Sequence, residues 1–403
     1  MDSIKWAINN LPKTDDKNLH LLSPEESQKV RAFHKSFPQY TTTPLVKLDN
    51  MSKLIGVKNI FVKDESYRFG LNAFKVLGGS YAIAKYIAKK TGKDISELPY
   101  SVLTSENLKQ EFGQATFFTA TDGNHGRGVA WAANKLRQKC VVYMPIGTTE
   151  NRLNHVANEN ATVTIENLNY DDCVRKASRN AESTENGVIV QDTAWDGYEE
   201  IPTWIMQGYG TMALEADEQL EVYGCKRPTH IFIQAGVGSL AGAVQGYFAN
   251  RYSDCEPIVV VAEADVAACL YKGALKGDGT PQTVGGDMLT LMNGLACGEP
   301  NTISWDILKN HVDTFVSCPD WVSAKGMRLL AAPLKNDKPV TSGESGAVTM
   351  GLLYTIMTDD RYKDLKLQLK LDDNSEILLF STEGDTDTER YRLIVWDGLN
   401  SLY

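Results

Sequence analysis

The stretch HIFIQAGVGSLAGAVQGYFANRYSDCEPIVVVAEA, His230 to Ala264, holds two apolar runs joined by a glycine loop and a helix. HIFIQA and IVVVAEA are short and rich in Ile, Val and Phe, which predicts strands buried on both faces. A strand, a crossover and a second strand in this order predict a right-handed βαβ unit with parallel pairing. The pattern spreads in both directions. IFVKD, TFFTA, CVVYMP, ATVTI, GVIVQ, TFVSC and ILLFST are further strand candidates, and helical periods cover Phe74 to Lys90, Gly126 to Arg137, Asp171 to Ala181, Pro202 to Tyr223 and Ser345 to Met357. The fold class is therefore α/β, with open, mostly parallel twisted sheets flanked by helices. In such sheets ligands gather beyond the carboxyl ends of the strands, which directs attention to the strand-to-helix junctions.

Composition narrows the partners. The chain has 403 residues, 42% apolar and 23% charged, enough for two domains or one large one. Its 41 basic residues against 51 acidic give a net charge of −10, which argues against nucleic acid. The start, MDSIKWAINNLPKTDDKN, has no apolar signal region, and the longest apolar run, near Pro257 to Ala262, is too short for a bilayer. A cytoplasmic protein without a membrane partner is expected. Seven scattered cysteines never fall in C-x-x-C spacing; no metal site is expected, and most should be small core residues.

Four junctions have unusual composition. In KDESYRFGLNAFKVLGGSYA, Lys75 opens a helix whose next turn holds Gly78 and Gly79. The positive end of the dipole should make its amine easier to deprotonate, which suits Schiff-base chemistry, and the glycines would admit a bulky ring. A solvated surface lysine is the plain alternative. In AGVGSLAG, Gly236, Gly238 and Gly242 leave backbone amides free for a phosphate at a helix start. With Glu263 ending the next strand, the same loop imitates a dinucleotide fingerprint, so a nicotinamide-dependent dehydrogenase is the competing class. In ILLFSTEGDTD, Ser381 and Thr382 stand at a strand end, where they could simply cap the following helix, with or without Asp385. TDGNHG, Thr121 to Gly126, reads locally as an Asx-type turn.

Together the four junctions resemble the fold-type II pyridoxal-phosphate enzymes, which include threonine and serine dehydratases, serine racemase and the tryptophan synthase β chain. AFKVLGGS resembles their Schiff-base motif, TDGNHGRGVA their Ser-x-Gly-Asn-His loop, AGVGSLAG their phosphate loop and FSTEGDTD the segment facing the pyridine nitrogen, in the family's order from about Lys63 to Asp387. QDTAWDGYEEIPTWIMQGYGTM and TSGESGAVT narrow the resemblance to the diaminopropionate ammonia-lyase branch. The resemblance implies pyridoxal 5′-phosphate in the cleft between a large domain, residues 1–80 and 210–403, and a small one, residues 81–209. It also implies a homodimer acting on a small amino acid.

Carried over by residue, the resemblance implies that Lys75 binds the cofactor and Asn124 bonds its ring oxygen. Thr121, Asp122, Gly123 and His125 belong to the loop receiving the substrate carboxylate. Gly236, Val237, Gly238, Ser239 and Leu240 would hold the phosphate, and Ser381, with Thr382 beside it, matches the hydroxyl at the pyridine nitrogen. Such a hydroxyl does not enforce ring protonation, which favours prompt loss of a β leaving group. Most dehydratases of this fold carry a small or hydroxyl residue where Asp122 stands, and in serine racemase that position acts as acid/base opposite the lysine. A second carboxylate, Asp192, follows the strand GVIVQ; an N-cap or an ion-pair partner is its plain reading. Two acids suit a substrate with a second ammonium group. The expected reaction is elimination of ammonia from 2,3-diaminopropionate, D or L, giving pyruvate, with serine/threonine dehydratase as the alternative.

Overall fold

A computed structural model describes residues 3–121 and 123–402. It contains two sheets. The larger is built from β1 (Lys5–Ile8), β2 (Leu45–Lys47), β3 (Asn59–Asp64), β8 (His230–Gln234), β9 (Ile258–Ala264), β10 (Thr314–Cys318) and β11 (Glu376–Ser381), in the order β1-β10-β9-β8-β11-β3-β2. The smaller, in the order β6-β5-β4-β7, uses β4 (Thr116–Ala120), β5 (Lys139–Met144), β6 (Thr162–Ile165) and β7 (Gly187–Ile189). All four of its strands lie within the 81–209 segment, and the strands of the larger sheet lie outside it.

The nine strand candidates are all strands, and every pairing among them is parallel. Two strands went unread. β1 and β2 are four and three residues long and pair antiparallel with β10 and β3 at the two edges. An edge strand is only partly covered, so KWAI and LVK need no continuous apolar run and gave no signal.

Alternation along the central strands divides their side chains between two cores. Ile231 and Ile233 of β8 face one, and Phe232 between them faces the other. The first core continues without a break onto Phe117, Val142 and Val188 of the smaller sheet, so the two sheets share one apolar interior. Helix Val76–Thr91 crosses that interior and packs on Glu200–Val222 and Asn124–Lys135. Here the glycines have a different use from the one expected. A Cβ on Gly78 would lie 2.6 Å from Ile205 Cγ2 and 2.7 Å from Tyr209 Cε1, and one on Gly79 3.2 Å from the Val129 backbone. Gly78 and Gly79 therefore bring three helices together rather than admit a ring. Five of the seven cysteines are buried, Cys297 is half-buried and Cys255 is exposed.

Candidate active site

The four junctions converge where the carboxyl ends of β3, β8 and β11 meet those of β4 and β7. Lys75, Thr121, Asn124, His125, Asp192, Gly236 to Leu240 and Thr382 line one pocket. Lys75 is the N-cap residue of helix Val76–Thr91, and its Nζ donates to the Asp192 carboxylate. The side chains are 20% and 4% exposed, so the pair is largely withdrawn from water. Burial alone would lower the lysine pKa, but the Asp192 charge outweighs it and raises the amine above the ordinary lysine value. The easily deprotonated amine expected from the helix dipole is thus overridden by a carboxylate 117 positions along the chain. Burial pushes Asp192 up, yet Lys75 and then His125 pull it down to about 2. Of the plain readings for Asp192, the ion pair holds.

Asp192 is fixed from both sides. Ser239 Oγ, in the glycine loop, donates to the Asp192 carbonyl and accepts from Asn301 Nδ2 at 2.9 Å. The serine side chain is therefore occupied, and the loop's capacity for an anion lies in its backbone. Gly238 is the N-cap of helix Ser239–Arg251 and offers no side-chain acceptor to the first-turn amides. Its φ is +101° and a Cβ would sit 2.7 Å from Ser304 Oγ, so this position requires glycine.

On the opposite wall the helix starts at Asn124, two residues earlier than expected, because the Thr121 hydroxyl accepts from Gly123 N at 2.9 Å and turns the chain there. This is a side-chain turn made by the Thr121 hydroxyl. It puts Asn124 and His125 in the first helical turn, whose amides can receive a carboxylate. His125 Nε2 meets the Val190 carbonyl at 2.9 Å. Asp122 lies outside the described residues.

The two hydroxyls after β11 part ways. Thr382 lines the pocket and accepts from Gln234 Nε2 at 2.7 Å, whereas Ser381 Oγ bonds Ser342 Oγ at 2.8 Å. Alternation along the strand sends neighbours to opposite sides, so only Thr382 faces the pocket. Neither hydroxyl caps the following helix; Asp387 does, by accepting from Arg390 N.

Several pocket residues went unread. Glu383 accepts from Asn124 Nδ2 across the two walls and from Ser345 N at 2.9 Å; its position within FSTEGDTD was the signal for it. Beside it, burial and then the Glu383 charge raise Glu344 to about 7. Gln234 was visible as a polar residue ending an apolar strand. Tyr170 and Cys297 come from a helix start and an irregular loop that carry no periodic signal. Glu263, the support of the dinucleotide reading, is spent: its carboxylate accepts from Leu270 N at 2.8 Å and Tyr271 N at 2.7 Å and caps a helix. Burial raises it to about 8, so it offers no exposed charge to a ribose.

The pyridoxal-phosphate dependent enzyme family model matches residues 37–379. A diaminopropionate ammonia-lyase of Salmonella typhimurium is 51% identical over 381 residues, 94% of each chain. The chain belongs to the diaminopropionate ammonia-lyases. The corresponding protein of Escherichia coli K12 is 47% identical over 95% of this chain and 94% of its own. A crystal structure of the Escherichia coli diaminopropionate ammonia-lyase with D-serine superposes with a TM-score of 0.93 at 44% identity, covering 100% of this chain and 99% of that one. Maize serine racemase, at 18% identity and a TM-score of 0.69 over 92% of this chain and 95% of its own, shares the fold.

The pocket fits the pyridoxal phosphate of this family of ammonia-lyases. It joins a lysine amine to a helix start with uncapped amides. Among the described residues, Gln234 Oε1 and Ser345 Oγ in its wall, and the Tyr209 hydroxyl behind Phe74, are buried polar atoms without a partner, as befits walls built around a polar guest.

Proposed function

We propose that this protein converts 2,3-diaminopropionate, as either the D or the L isomer, to pyruvate and ammonia. The observation that carries the reading is the buried Lys75–Asp192 pair set against the Gly236–Leu240 loop. In this reading Lys75 would hold the cofactor through its carbonyl carbon, the loop amides would hold its phosphate, Asn124 would bond its ring oxygen and Thr382 would face its pyridine nitrogen. When bound, the cofactor supplies delocalisation of the electron pair left at Cα after proton removal. The first-turn amides from Asn124 onward orient the substrate carboxylate, which fixes the direction of the Cα–H bond.

Asp192 acts as the base for the L isomer and Asp122 for the D isomer, because one group cannot reach protons on opposite faces. The strength of Asp192 as a base depends on its partner. While Lys75 carries its ammonium charge, Asp192 holds a proton poorly; once that amine is committed elsewhere its pull is gone, and burial raises the carboxyl against the weaker pull of His125. Loss of the β-amine leaves an enamine that takes up water, giving pyruvate and a second ammonia.

The reading extends to a homodimeric, cytoplasmic enzyme of two domains, residues 1–80 with 210–403 and residues 81–209, without nucleic-acid or membrane partners. The acidic charge balance weighs against a nucleic-acid partner, and no helix among the described residues is long and apolar enough to cross a membrane. The test is a turnover panel of D- and L-diaminopropionate, serine and threonine. A higher kcat/KM for diaminopropionate is expected; the reverse ranking points to a dehydratase.

A further inference from the structure

Gln234 is a polar residue, 1% exposed, at the end of a strand buried along its whole length. Its Nε2 donates to the Phe380 carbonyl at 3.1 Å and to Thr382 Oγ1 at 2.7 Å, which uses both amide hydrogens. A backbone carbonyl only accepts, so Phe380 dictates that the nitrogen side of the amide faces β11. The reversed amide would bring Oε1 against the Phe380 oxygen. The Thr382 oxygen is thereby engaged as an acceptor, and its single hydrogen must point away from Gln234. Among the described residues nothing accepts that hydrogen, although Thr382 is 3% exposed and lines the pocket. Ser381 cannot take its place, because its hydroxyl is turned to Ser342.

We propose that Gln234 is a positioning residue that fixes Thr382 as a hydrogen-bond donor to the pyridine nitrogen of the bound cofactor, so that this nitrogen stays unprotonated. The proposal rests on the reading that Thr382 faces that nitrogen. A donor hydroxyl needs the nitrogen lone pair, whereas a protonated nitrogen would set hydrogen against hydrogen. Neither Thr382 nor Gln234 carries a charge to balance a pyridinium. The Phe380 carbonyl thus sets the amide, the amide sets the hydroxyl, and the hydroxyl sets the electronic state of the ring.

The experiment is ¹⁵N NMR of the holoenzyme reconstituted with cofactor labelled at the pyridine nitrogen, from pH 6 to 9. The wild type is expected to give the resonance of an unprotonated, hydrogen-bonded nitrogen that does not move with pH. In Gln234→Glu the oxygen replacing Nε2 accepts from Thr382, whether or not the carboxyl is ionised. The hydroxyl then turns its lone pair to the ring, and the resonance should move upfield toward the protonated form. Thr382→Val, which leaves the Gln234 bond to Phe380 intact, should move it downfield and weaken cofactor binding about tenfold, the worth of one buried hydrogen bond. Thr382→Ser should restore both. The valine and serine variants carry the test if Gln234→Glu does not fold. A protonated nitrogen in the wild type, or a resonance unmoved in Gln234→Glu, overturns the role of Gln234 while leaving Thr382 at the nitrogen. A resonance and affinity unmoved in Thr382→Val overturns the placement of Thr382 itself, and the proposal with it.

Discussion

Replacing Asp192 by Asn removes the charge that holds Lys75, and the stability cost in the cofactor-free protein follows from the pair itself. Asp192 falls from 3.8 to about 2 on folding, a difference equivalent to about 2–3 kcal/mol once both forms are ionised. Because the folded value is depressed, this stabilisation is fully present above about pH 5 and is lost as pH falls through the folded value. About half of it is gone by pH 3. Lys75, raised in the folded state, adds no second energy at neutral pH, since it reports the same contact; its sign means that the contact also fades as pH rises through the lysine's folded value. Breaking a fully buried pair costs about 3–5 kcal/mol. With Lys75 one-fifth exposed, the lower figure is the better guide. For a chain of 403 residues an unfolding entropy of about 0.85 kcal/mol/K turns this into a loss of about 3 °C in Tm. Scanning calorimetry of wild type and Asp192→Asn from pH 3 to 7 measures this directly. The gap should be about 3 °C at pH 6 and about half that at pH 3. Equal Tm values at pH 6, or a gap that widens in acid, would refute the argument.

Asp192→Asn should lower turnover of L-diaminopropionate much more than of the D isomer, and Asp122→Asn the reverse; equal losses in each would assign the carboxylates to ammonium binding instead. Borohydride reduction of the holoenzyme should fix the cofactor on the peptide containing Lys75, by mass spectrometry, and label on another lysine ends that assignment. Gly238→Ala forces a side chain into a left-handed conformation and against Ser304, at a cost of about 1–2 kcal/mol. Cofactor affinity measured by fluorescence titration should fall about tenfold, with the Lys75–Asp192 contribution to acid stability unchanged.

What could be read from the sequence follows from where each signal resides. Buried parallel strands must be apolar over their whole length, so IFVKD or IVVVAEA announces itself, whereas KWAI and LVK take their pairing from β10 and β3 and carry no comparable mark. Lys75 was legible as a lysine at a helix start, but its electrostatics were not, because the deciding charge arrives from the end of β7 in another sheet. Gly78 and Gly79 were seen as openings when they are contacts; only the neighbouring helices could reveal that. The choice between Ser381 and Thr382 depended on which side of β11 faces the pocket, a matter of one residue in phase. Glu263 looked like a ribose ligand because the helix it caps was not foreseen.

The placement of the strands along the chain also sets a timetable for biosynthesis. The smaller sheet draws every strand from Thr116 to Ile189 and can close as soon as that stretch leaves the ribosome. The larger sheet cannot, since β3 must wait for β11, which is made about 190 residues after β7. At about 5–20 residues per second the interval is roughly 10–40 s. Throughout it IFVKD lacks its β11 neighbour, as does HIFIQ from about 40 residues into it, and both are open to pairing with another nascent chain. Lys75 meets the segment bearing Thr382 only after the last strand is in place, so the pocket is the last part of the molecule to be assembled and the cofactor can dock only on a finished chain.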